Sequence, residues 1–157
     1  MDLFAILLFL HVLGAIVAFG PGFAAMVVGP MVAKEPQHAN FYARTQLATA
    51  RSIITPVAIS MAVTGVGLIM IRGWGTLTAD RRWLEVSILL YVVAVVYSMA
   101  IQAPAGRKLV ELTATPPQPG SAPNPEVPKT AARVRTGGIV LSLLTVAIVF
   151  LMVAKPF

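Results

Sequence analysis

The chain has 157 residues, a mean hydropathy of +0.83 and only 11% charged side chains, against about 25% in a soluble domain. That balance excludes soluble enzymology and ordinary nucleic-acid binding, although the net charge is +6. The absence of cysteine excludes disulfides, iron–sulfur clusters and thiolate metal sites.

Four stretches carry no formal charge: Leu3 to Val32, Ser52 to Ile71, Val86 to Ala105 and Thr136 to Ala154. Each is close to or above the roughly 20 residues a helix needs to cross the hydrocarbon layer. The expected fold is all-α: one integral membrane domain over 1–157, a four-transmembrane-helix bundle with spans near 3–32, 49–71, 83–103 and 136–154.

The first span begins behind Asp2 rather than a basic segment and is too long for a secretory signal, so it is read as retained. Pro21 lies between Gly20 and Gly22, and a kink is expected there, because proline removes one backbone hydrogen bond and crowds the preceding turn. "KEPQHANFYARTQLATARS" leads into the second span, with Pro36 placed as a first helical residue. The connection "RGWGTLTADRR" is short, which predicts that spans two and three are antiparallel neighbours. After span three, "APAGRKLVEL" suits a short juxtamembrane helix. The proline-rich stretch 113–130 reads as an extended cytoplasmic linker.

Lysine and arginine set the orientation. Lys34, Arg44, Arg51, Arg107, Lys108, Lys129, Arg133 and Arg135 fall on one side, and Arg72, Arg81, Arg82 and Lys155 on the other. The positive-inside rule makes the first side cytoplasmic, with both termini outside, and the expected location is the plasma membrane. Trp74 and Trp83 flank the outer hairpin as interfacial anchors.

Stepping by three and four places the small and polar residues of every span on one face. Span one contributes His11, Gly14, Ala18, Gly22, Ala25 and Gly29. Span two contributes Thr49, Ser52, Pro56, Ser60, Thr64 and Gly67, and span three Ser87, Tyr91, Ala94, Ser98 and Gln102. Span four contributes Gly138, Ser142, Thr145, Val149 and Met152. Small residues at this spacing let membrane helices approach closely. At about 1.5 Å rise per residue, His11, Thr64, Tyr91 and Thr145 share one layer in the outer half. Two readings follow. The layer glues the bundle, with the threonines bonding their own helices and Tyr91 meeting a ring nitrogen of His11, or His11 serves as a haem ligand, a metal ligand or a proton relay. Met61 is a conceivable second soft ligand, although methionine is more often filler.

"FLHVLGAIVAFGPGF", "RSIITPVAISMAVTGVGLI" and "RRWLEVSILLYVVAV", in that order, resemble an uncharacterised family of predicted bacterial four-helix integral membrane proteins, over nearly the whole chain. The layout is also distantly similar to the HemJ-type protoporphyrinogen oxidases and the copper-resistance D membrane domain. The shared features are a histidine in span one, a proline and Gly-Leu in span two, and Trp-Leu opening span three. The HemJ-type resemblance implies haem at His11. Where that family reads Trp-Leu-His-x-Lys, this chain reads Trp83, Leu84, Glu85, Val86 and Ser87. There is no phosphate-binding loop, no paired intramembrane carboxylates and no nucleophile motif. The expected function is therefore a binding or accessory component rather than an enzyme. Its expected partners are the lipid bilayer and either a second copy or another membrane protein, with no nucleic acid. A haem-linked redox protein and a small oligomeric transporter or metal-handling protein are the alternatives.

Overall fold

The computed structural model describes residues 2–73, 81–115 and 124–156; the expectations for Trp74 and for most of the proline-rich stretch lie outside the described residues. The described chain is helical throughout: α1 (Leu3–Lys34), a 3-10 turn (Pro36–His38), α2 (Ala39–Thr49), α3 (Thr55–Ile71), α4 (Arg82–Tyr97), α5 (Ala103–Leu112) and α6 (Glu126–Ala154). Four continuous helical stretches, Leu3–Lys34, Pro36–Ile71, Arg82–Leu112 and Glu126–Ala154, are long and apolar enough to cross a membrane.

Two of these stretches are joined by π turns. Ala50–Ile54 links α2 to α3, and Ser98–Gln102 links α4 to α5. Both stand two residues ahead of a proline, Pro56 and Pro104. Proline has no N–H to give the carbonyl four residues back, and its ring crowds that carbonyl. The helix widens instead, so that the N–H of Thr55 reaches Ala50 O and that of Ala103 reaches Ser98 O. α1 continues as one helix past both Pro21 and Pro30, and the Asp2 side chain accepts from the Phe4 N–H at its start.

The interior is small and partly polar. Thr64, Ser87, Thr130, Ser142 and Thr145 are buried alongside Ala18, Met61, Trp83 and Leu84, whereas Phe9, Val63, Leu89 and Val153 face outward. That inversion suits a lipid solvent, in which association comes from close packing and hydrogen bonding. Close packing is clearest at Gly14: a Cβ there would stand 2.8 Å from Met61 Cγ, so α3 lies against a glycine surface on α1.

Packing around the bundle is uneven. α3 packs on α1, α1 on α6 and α6 on α4, and no Cα pair of α3 and α4 comes within 8 Å. Spans two and three touch through side chains over their apolar length, with Ile69 of α3 against the cluster of Trp83, Leu84 and Leu151. At the other end α2 packs on α5, and Asn40 Nδ2 donates to Val110 O (3.0 Å) and Thr113 Oγ1 (3.2 Å).

Helix α6 starts ten residues before the expected fourth span. Asn124 caps it by accepting from the Glu126 N–H at 3.0 Å, and Pro128 falls in the first turn, where no N–H is needed. The helix therefore covers 126–130 of the stretch read as an extended linker.

The two ends of the bundle differ. One end carries Phe4, Arg72, Trp83 and Lys155, paired as Arg72 over the Phe4 ring (4.0 Å) and Lys155 over the Trp83 ring (5.3 Å). Trp83 itself is buried against Leu84 and Leu151. The other end carries Lys108, Lys129 and Arg133 and is called the basic end below.

Candidate functional site

His11 lies near the Trp83 end of α1 and faces α3. Its Nδ1 is 3.1 Å from Met61 O and 3.0 Å from Thr64 Oγ1. A carbonyl oxygen only accepts, so Nδ1 carries the proton and shares it between the two oxygens. Thr64 Oγ1 is free to accept because its own proton goes to Ser60 O at 2.9 Å. In the neutral ring, Nε2 is then the nitrogen with the lone pair. Nε2 has no hydrogen-bond partner among the described residues, and the one fully enclosed side-chain polar atom without a partner is Gln102 Oε1. His11 is therefore fixed on one nitrogen and open on the other. Gly65 makes room for it, since a Cβ there would lie 3.2 Å from His11 Cε1.

Of the four residues expected in one layer, the structure brings His11 and Thr64 together. Tyr91 donates instead across the gap between α4 and α3, to Ala58 O at 2.5 Å. Thr145 donates to Leu141 O of its own helix at 2.9 Å. Neither touches the histidine. Met61 is buried with its side chain against Gly14, and it is the Met61 carbonyl rather than its sulfur that meets His11. His38 is remote and exposed, 3.5 Å from Glu35.

Two of the expected stripes are rotated. On span two, Ser52, Pro56 and Ser60 are exposed, and Met61 and Thr64 form the buried face. Each step of four residues turns about 40° past a full circle at 3.6 residues per turn, so a stripe drawn back from Thr64 leaves the face. On α6 the buried positions are Gly137, Ser142, Thr145, Ile148 and Leu151, and Val149 is exposed.

A second polar contact escaped the sequence reading. Gln102 Nε2, in the π turn, donates to Val134 O at 3.0 Å, while its Oε1 is enclosed without a partner against Gly137. A Cβ on Gly137 would overlap that oxygen. The available signal was a glutamine inside an apolar run opposite a Gly-Gly pair. Among the described residues no three His, Cys, Asp or Glu side chains converge on a metal position. Beside the His11 contact, Leu10, Leu13, Gly14, Val57, Ser60 and Thr64 line a cleft of about 250 Å³. That is below the roughly 300–1,000 Å³ typical of pockets that enclose a drug-sized ligand.

Four apolar helices of spanning length around a small polar interior define a multi-pass integral membrane protein. The chain belongs to the family described as predicted integral membrane protein (DUF2269), whose pattern matches residues 5–156. No curated protein and no solved structure matches it.

Proposed function

We propose that this protein is a membrane-embedded binding component whose ligand is taken by His11 Nε2. One observation carries the reading: Nδ1–H is held by Met61 O and Thr64 Oγ1 while Nε2 keeps a lone pair and no partner. A backbone carbonyl on one imidazole nitrogen is the usual support for a histidine that donates through the other, because it fixes the tautomer and the ring angle. An unpartnered nitrogen is costly where no water reaches it, which favours a role beyond packing.

The donor set limits what fits. One imidazole suits a group that brings most of its own ligands, so His11 would hold a haem through Nε2, and a bare metal ion is not held by His11 alone. Haem bound there would supply electron transfer or small-ligand chemistry, with His11 holding it and Thr64 holding His11. The cleft beside the site is too small to enclose a macrocycle, so the remaining contacts come from a second copy or a partner membrane protein. Met61, with its sulfur against Gly14, stays a packing residue in this reading.

The distribution of lysine and arginine supports the basic end as cytoplasmic, both termini outside and insertion in the plasma membrane. Pro21 supports a bend in α1, with the freed carbonyl turned into the bundle. The chain has no cysteine, so single cysteines at Asp2 and Arg107, labelled with an impermeant maleimide, test the orientation directly.

The binding test is spectroscopic. Ferric haem titrated into the purified full-length chain should give a saturable Soret shift that His11→Ala abolishes and Thr64→Val weakens. If haem leaves no His11-dependent shift, His11 is bundle glue and the binding reading is wrong.

A further inference from the structure

The basic end holds a second cleft, of about 280 Å³, between α5 and the first turns of α6, independent of His11. Its lining is of two kinds: Lys108, Glu126, Lys129, Thr130 and Arg133 are polar or charged, and Ala100, Ile101, Pro104 and Ala105 are apolar. The α6 residues recur at intervals of three and four, so Glu126, Lys129, Thr130 and Arg133 share one face. Arg133 lies about 10 Å along the helix from Glu126, three residues before the uncharged run begins.

The charges are arranged rather than scattered. Glu126 accepts from Lys108 at 2.8 Å and lies 3.8 Å from Lys129, which draws two lysines from different helices to the same opening. Arg133 forms no ion pair among the described residues. Three cations therefore line the cleft with one carboxylate, and among the described residues Arg133 is the one of the three that has no ion pair. Pro104, two residues past the π turn Ser98–Gln102, lines the cleft.

We propose that this cleft binds the phosphate headgroup of an anionic phospholipid, with Arg133 on the phosphate and an acyl chain running along Ala100 and Ile101. A planar guanidinium pairs with two phosphate oxygens at once. Basic pockets between transmembrane helices are established places for anionic headgroups. The apolar part of the lining, Ala100, Ile101, Pro104 and Ala105, distinguishes a lipid from free phosphate, since a small anion has no use for it.

The test uses native mass spectrometry of the full-length chain released from detergent with dioleoylphosphatidylglycerol, dioleoylphosphatidylcholine or inorganic phosphate added. One phosphatidylglycerol per chain should be retained, and neither of the other two. Arg133→Gln should weaken retention about fivefold, the equivalent of the ~1 kcal/mol that one basic side chain contributes near an anionic surface, whereas Arg44→Gln, on α2 outside the cleft, should change nothing. Should Arg133→Gln fail to insert, Lys129→Gln provides the same comparison. Equal retention of phosphatidylcholine would reduce the site to acyl-chain adhesion. Phosphate binding by itself would make it a free-anion site, and an equal loss in Arg44→Gln would make it diffuse charge; each outcome overturns the proposal.

Discussion

The His11 region and the basic end solve the same problem by different chemistry. Around His11 the hydroxyls are satisfied by backbone carbonyls: Thr64 by Ser60, Ser87 by Trp83, Thr145 by Leu141 and Tyr91 by Ala58. At the basic end the partners are side chains and longer bridges, Lys108 to Glu126 and Asn40 to Val110 and Thr113. In the apolar layer no water competes, so a serine or threonine can be buried once it bonds its own helix. Near the membrane surface water is at hand, and charge can be arranged for recognition instead. Against the first background His11 Nε2 stands out as unsatisfied; against the second, Arg133 does.

Substitutions can break this contrast at graded cost. Gly137→Val should be the most damaging, because the new Cβ meets the enclosed Gln102 Oε1; overpacking of this kind costs about 1–3 kcal/mol, read as a lowered melting temperature in detergent. Adding Gln102→Ala should recover most of that loss, and failure to recover would show that the clash lies elsewhere. Tyr91→Phe should come next. It removes a hydrogen bond across the gap between α3 and α4, worth about 0.5–1.5 kcal/mol, and should also increase the distance between spin labels on those helices. Thr64→Val should cost about 0.6 kcal/mol, the mean for an interhelical hydrogen bond in a membrane protein, because Met61 O still holds Nδ1. Ser87→Ala should be smallest, under about 0.5 kcal/mol, since its hydroxyl bonds only its own helix. A large effect at Ser87 would end the claim that own-helix bonding suffices in this layer.

Much of the fold was legible because span length and hydropathy depend on composition alone. The His11–Thr64 contact was also within reach: both residues sit at a similar depth on small-residue faces. Three things lay beyond the pattern. Tyr91 reaches Ala58 rather than His11 because α3 and α4 are separated, and helix order depends on which glycine surface is closest, here Gly14 beneath Met61. The start of α6 was hidden among prolines, although Asn124 and Pro128 are good initiators in hindsight. The basic cleft joins Lys108 to residues 18 and more positions away, a pairing that helical periodicity does not encode.

The widened turns ahead of Pro56 and Pro104 also act as phase shifters. Each holds one residue more than an ordinary turn would, and an extra residue rotates everything beyond it by about 100°. Asn40 points at α5 because that rotation has been applied on the α2 side, and Lys108 faces α6 because it has been applied on the α5 side. Deleting one residue from Ala50–Ile54 would leave the apolar length nearly unchanged and yet turn Asn40 out of its contact. The register of the basic end thus depends on two prolines, Pro104 about one turn from the lysine and Pro56 about four turns from the amide.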